Sequence, residues 1–199
     1  MFRVMAGRAA VTALMVLAVS GTAQAAQIGG TPGDDRIRGT VRADVIDGAT
    51  GNDQINARRG ADTVTGGEGN DLLRGGWGAD RQYGGAGNDT IYAGLGRDET
   101  WGEDGDDQLW ALARADVHSR NDAKGDTLHG GNGDDTFRTR DGEADTIDCG
   151  PGVDTVYADF KDVLANPVEC EVVNRARRTR KADDQRENAD PAQSGRPRD

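Results

Sequence analysis

From Gly30 to Trp110 the chain divides into nine consecutive nonapeptides without a gap: GTPGDDRIR, GTVRADVID, GATGNDQIN, ARRGADTVT, GGEGNDLLR, GGWGADRQY, GGAGNDTIY, AGLGRDETW and GEDGDDQLW. The sixth position is aspartate every time, at Asp35, Asp44, Asp53, Asp62, Asp71, Asp80, Asp89, Asp98 and Asp107. The eighth carries Ile37, Ile46, Ile55, Val64, Leu73, Ile91 and Leu109, interrupted by Gln82 and Thr100. Glycine dominates the first and fourth positions. Glycine at this density rules out long helices, since each one costs about 1 kcal/mol relative to alanine in a helix. A fixed short period instead predicts identical structural units stacked on one another, each covering its neighbour's apolar side chain.

A second period lies inside the first. The fifth position holds Asp34, Asn52, Asn70, Asn88 and Asp106 in odd blocks, but Ala43, Ala61, Ala79 and Arg97 in even ones. The structural unit is therefore eighteen residues, two blocks to a coil, with two chemically distinct sides. Asn and Asp bond to nearby backbone and suit tight turns. This parity ranks the odd-side turns as the better cation sites. Within each block the last three residues are expected to form a short strand whose middle member points inward. The preceding glycines are expected to reach positive φ.

These blocks resemble the GGxGxDxUx nonapeptide of the RTX, or hemolysin-type, calcium-binding repeats, most closely in Gly66 to Arg74 and Gly84 to Tyr92. The likeness extends over about Gly30 to Tyr157. It implies an all-β fold, a right-handed parallel β-roll or solenoid with two nonapeptides per coil, and several Ca²⁺ ions held between successive turns. The ligands it implies are the carboxylates of Asp35, Asp53, Asp71, Asp89 and Asp107 on one side and of Asp44, Asp62, Asp80 and Asp98 on the other. Asp135 and Asp154 join them further along the chain. Backbone carbonyls near Gly51, Gly66, Gly67, Gly69, Gly84, Gly85 and Gly87 complete the set.

The chemistry agrees with that ligand set. Calcium takes six to eight oxygens at about 2.3–2.6 Å, whereas magnesium demands an octahedron and keeps its waters. Stacked coils lie about 4.8 Å apart. Like charges at that separation repel by roughly 1 kcal/mol in water and about 3 at an effective dielectric of 20. A ladder of such pairs rivals the whole stability of a domain, so the metal-free chain is expected to be largely unfolded. The other common calcium loop, D-x-[DN]-x-[DN]-G with a downstream glutamate and flanking helices, is absent from the sequence.

Composition sets the context. With 35% hydrophobic and 5% aromatic residues the chain cannot build an ordinary globular core, and a net charge of −11 excludes a general nucleic-acid binder. Residues 1–25 read as a signal peptide: Arg3 and Arg8, the apolar run Ala9 to Val19, and Ala23-Gln24-Ala25 at the cleavage point. The run is too short for a comfortable membrane span, so the mature chain is expected outside the cell, with no transmembrane segment; the periplasm and the cell surface fit equally well. In that oxidising setting Cys149 and Cys170 are expected to form a disulfide stabilising by roughly 3 kcal/mol.

The register breaks over Ala111 to Lys124, read as a loop insertion containing His118, and resumes with Asp126 and Leu128, Asp135 and Phe137, Asp145 and Ile147, and Asp154 and Val156. The roll thus spans 26–157. Residues 158–173 read as a C-terminal cap, with Val163, Leu164, Val168, Val172 and Val173 as cover. Residues 174–199 read as a charged disordered tail, whose run Arg175 to Lys181 could touch an anionic cell-surface polymer. His118 and His129 lack zinc-like spacing. At position nine, Tyr83 and Trp101 fall on one outer face and Tyr92 and Trp110 on the other. Such rings either brace neighbouring strands or form a binding patch.

The function expected from these features is a secreted, non-catalytic calcium-binding protein acting as a structural or surface-interaction module, whose partner is a cell-surface polymer or another secreted protein. A carbohydrate-binding module using the aromatic stripe is one alternative. Another is part of a secreted enzyme or toxin, since the repeat is often attached to one. Against the enzyme, no H-E-x-x-H or G-x-S-x-G motif occurs, and the repeats start soon after the cleavage point.

Overall fold

The computed structural model describes residues 26–111 and 125–175. The expected signal peptide, most of the insertion with His118, and the tail beyond Arg175 lie outside them. The chain forms β1 (Ala26–Gly29), β2 (Arg36–Arg38), β3 (Asp44–Asp47), β4 (Gln54–Arg59), β5 (Thr63–Glu68), β6 (Leu72–Trp77), β7 (Arg81–Ala86) and β8 (Thr90–Leu95). It continues with β9 (Glu99–Asp104), β10 (Gln108–Trp110), β11 (Thr127–Asn132), β12 (Thr136–Thr139), β13 (Thr146–Asp148), β14 (Thr155–Ala158), β15 (Val163–Leu164) and β16 (Val172–Arg175). Among the described residues there is no helix, and so none long and apolar enough to cross a membrane.

Odd-numbered strands form one eight-stranded sheet and even-numbered strands another, and every pairing is parallel. The molecule is a β-solenoid of about 8 turns. Leu73 pairs with Ile91 and Ile55 with Leu73, eighteen residues apart, as the alternation at position five predicts. Across the insertion the register steps to Glu99 with Thr127, and the ladder resumes unbroken. Strands in the middle of the roll run longer than the three residues expected. They carry on into the first three positions of the next block, where position one also faces inward, as at buried Ala57 and Ala93.

The core consists of two facing columns. Ile37, Ile55, Leu73, Ile91, Leu109, Phe137 and Val156 line one sheet, and Ile28, Ile46, Val64, Leu128 and Ile147 line the other. Gln82 and Thr100 interrupt the second column and are fully buried there, dividing the apolar interior into two clusters. Gln82 Nε2 donates to the Tyr92 carbonyl at 3.1 Å, while the Thr100 hydroxyl finds no partner.

The alternation at position five also acquires a cause. Asn52 N–H donates to Asp34 Oδ1, Asn70 N–H to Asn52 Oδ1, Asn88 N–H to Asn70 Oδ1 and Asp106 N–H to Asn88 Oδ1, at 2.7–3.1 Å. This side-chain ladder braces one edge of the roll. Alanine or arginine at the same position of the other turns offers no acceptor.

The end of the roll adds two strands to the existing sheets. Leu164 and Val173 pack on the last apolar layer, whereas Val163, Val168 and Val172, also expected as cover, are exposed. Alternation along each short strand sends only one residue inward. Cys149 and Cys170 form a disulfide with Cα atoms 5.5 Å apart, and both are buried in this layer.

Candidate calcium-binding turns

The position-six aspartates are all buried, each 5% exposed or less. The roll brings them together eighteen residues apart, but through a contact that the spacing alone does not reveal. From the second coil onward, Oδ1 of each accepts the backbone N–H of its counterpart one coil earlier. Asp35 donates to Asp53, Asp53 to Asp71, Asp71 to Asp89 and Asp89 to Asp107, each at 2.7 Å. Asp107 then donates to Asp135 and Asp135 to Asp154, both at 2.8 Å. On the opposite side Asp44 donates to Asp62, Asp62 to Asp80, Asp80 to Asp98 and Asp98 to Asp126.

The second oxygen is where the chemistry lies. Oδ2 of Asp53, Asp71, Asp89, Asp107, Asp135 and Asp154 is buried without a hydrogen-bond partner, and so is Oδ2 of Asp62, Asp80 and Asp145. A buried carboxylate oxygen with no donor is costly unless a cation meets it. Both sides of the roll present it, so the parity at position five marks turn bracing and not a difference in carboxylate supply. Asp145 was not among the expected ligands. Its place in the TRDGEADTID column was the available signal, obscured by the extra residue in that block.

Asp35 and Asp44, at the first coil, differ from the rest. Asp35 Oδ2 accepts Thr31 N–H at 2.6 Å and its hydroxyl at 2.8 Å, while Asp44 accepts the N–H and hydroxyl of Thr40 at 2.6 and 3.0 Å. Threonine at position two replaces the residue that elsewhere has positive φ, as at Gly67 and Gly85, so its N–H turns toward the carboxylate. The last coil is closed similarly: Asp162 Oδ2 accepts Thr139 Oγ1 at 2.8 Å and Asp159 N–H at 2.7 Å. Orphaned oxygens therefore belong to the interior coils.

Of the expected carbonyl donors, those of Gly66 and Gly84 lie beside the orphaned oxygens of Asp53 and Asp71. Positive φ occurs at position four, in Gly51, Gly69 and Gly87, and at position two, in Gly67 and Gly85. Position one is glycine for another reason, because its φ is ordinary. A Cβ on Gly66 would collide with Asp71 Oδ2 and the Gly84 carbonyl oxygen, and one on Gly48 with Asp53 Oδ2 and the Gly66 carbonyl oxygen. A carboxylate oxygen and a carbonyl oxygen thus converge on the space beside Gly48, Gly66, Gly84, Gly102 and Gly130. Near Gly75 that space is ringed by Asp80 Oδ2, the Ala93 carbonyl and Gln82 Oε1, the first and last 2.7 and 3.2 Å from where a Cβ would stand. Among the described residues no three acidic, His or Cys side chains converge on one point. An ion in these turns would take one carboxylate from each and draw most oxygens from the backbone, a donor set calcium accepts.

Burial governs the electrostatics. Asp53, Asp62 and Asp107 are pushed up to about 6, Asp80 and Asp89 to about 7 and Asp135 to about 8. In each the largest cause is loss of water, opposed by the N–H bond from the previous coil, with repulsion between carboxylates in support. Repulsion, which the sequence alone makes the main obstacle to folding, is thus secondary to desolvation. Asp145 reaches about 9, with burial again the main cause, then the charges of Asp141 and Asp162.

A parallel solenoid with rows of buried, half-satisfied carboxylates in its interior turns defines a repeat protein of the cation-binding kind. The chain belongs to the RTX calcium-binding nonapeptide repeat family, whose model matches residues 29–64, 48–82, 59–91, 75–109 and 122–144. No curated protein and no solved structure matches the chain.

Proposed function

We propose that this chain is a secreted, non-catalytic calcium-binding module that is shaped by its ions and works as a structural or surface-attachment element outside the cell. The single observation that carries the reading is the row of buried, unpartnered Oδ2 atoms along both sides of the roll. Those oxygens face the interior turns and the apolar columns fill the rest, so the side chains that recur with the repeat serve metal binding and stacking. The sequence of residues 1–25 supports export, and the buried disulfide supports an oxidising compartment.

Calorimetric titration of the chain from Ala26 onward with Ca²⁺ tests the metal reading: saturable heat with more than one ion per chain is expected, and no heat overturns it. Sequencing the N-terminus of the protein recovered from the culture medium and cell surface tests export. A chain that keeps residues 1–25 inside the cell would overturn that part.

A further inference from the structure

The roll sorts its surface charge. From Gly30 to Arg138, the sheet of even-numbered strands carries Arg36, Arg38, Arg58, Arg59, Arg74 and Arg138, and the turns leaving it carry Arg42 and Arg97. Among the described residues of that stretch, the only carboxylates on this side are the buried position-six aspartates. The opposite sheet carries Asp47, Glu68, Glu99, Glu103 and Asp104, and its outgoing turns carry Asp34, Asp106 and Asp134. Its one arginine, Arg81, is paired with Glu99 at 2.9 Å. In a chain of net charge −11, the described residues of this stretch thus present an arginine side free of exposed acid.

Several of these arginines are already oriented. Arg74 lies over Tyr92 at 5.3 Å, Arg59 over Trp77 at 5.1 Å, and Arg138 sits 4.8 Å from both Trp110 and Tyr157. Stacking occupies the guanidinium faces and leaves their N–H edges as the donors available to an anion. Side chains held in this way lose less entropy when they bind. Exposed apolar surface adjoins the row at Trp77 and Val41.

We infer that this side docks an extended anionic polysaccharide, whose repeated acidic groups meet the arginine rungs. The inference rests on the extracellular reading above and deepens it by naming the surface and the partner's chemistry. A second copy of the chain suits the site less well. Its acidic turns consist of glycine and short polar residues, with little apolar area to cover Trp77, and it would bring its whole negative charge. A polymer on the arginine side lies a sheet-to-sheet distance of about 10 Å from the acidic sheet, beyond the screening length of about 8 Å at physiological salt.

The test uses the chain from Ala26 onward with Ca²⁺, dextran sulfate as the anionic probe and unmodified dextran as the neutral one. Binding of dextran sulfate alone, weakening steeply with salt, is expected. A variant with Arg38→Gln, Arg42→Gln, Arg59→Gln and Arg97→Gln should bind about fifteenfold more weakly, a factor of about two for each exposed arginine. A control with the same fall in charge on the other sheet, Val45→Glu, Thr65→Glu, Arg81→Gln and Thr127→Glu, should lose much less. Equal losses in the two variants, undiminished binding in the arginine variant, or self-association without polymer binding in sedimentation would overturn the inference. Absence of polymer binding by a chain that still folds with Ca²⁺ would also overturn it and leave the calcium reading standing. Failure to bind Ca²⁺ in calorimetry would sink that reading separately.

Discussion

Withdrawing calcium at neutral pH should unfold the roll, and the size of the effect follows from the buried aspartates. Asp80 and Asp89 stand at about 7 against an ordinary 3.8, chiefly because the fold strips them of water. Ionising either one inside the fold is therefore about 4 kcal/mol harder than in the unfolded chain. Two such groups already reach the total stability of many domains, about 5–15 kcal/mol, and Asp53, Asp62, Asp107 and Asp135 are raised in the same direction. The folded chain binds protons more tightly than the unfolded one. Without metal its stability is thus fully present below about pH 4 and is lost as pH rises through about 6 to 8. Calcium reverses the trend, because it binds the deprotonated carboxylates and gains affinity as pH rises. Far-ultraviolet circular dichroism in EDTA from about pH 4 to about pH 8, repeated in millimolar Ca²⁺, measures both arms. Equal strand signal in EDTA and in Ca²⁺ at the upper end, or a metal-free chain that gains structure as pH rises, would refute the reasoning.

Gly66→Ala should cost about 1–3 kcal/mol and weaken calcium binding, since the new methyl must displace Asp71 Oδ2 and the Gly84 carbonyl; Gly29→Ala, with open space at its Cβ, should do neither, as thermal melts in Ca²⁺ would show. Thr100→Val should stabilise the calcium-bound protein by about 1 kcal/mol, because it removes a buried hydroxyl with no partner; a lower melting temperature would contradict the polar break seen in that column. Leu73→Ala, in the middle of the other column, should cost about 2–5 kcal/mol in denaturant titration. Reducing Cys149–Cys170 should lower stability by about 2–4 kcal/mol, read as an earlier melt in dithiothreitol; an unchanged melt would mean that the last layer holds without it.

The amino-acid order alone dictates the period, the coil of eighteen residues, the inward aspartate and aliphatic columns and the disulfide pairing. Each coil repeats the same turn chemistry and touches only its neighbours, so spacing along the chain translates directly into stacking. Local spacing is blind to competition among partners in space, and that is where the folded molecule decides. Asp35 and Asp71 hold the same position in their nonapeptides, yet Thr31 turns to satisfy the second oxygen of Asp35 while that of Asp71 is left bare. The first glycine of a block gives no sign in the sequence that it is needed for an oxygen from the next coil and not for its own φ. Desolvation outweighs repulsion only because two sheets close over the carboxylates. Arginine and acid end on opposite sides because the winding sends alternate blocks to opposite sheets, a sorting that net charge conceals.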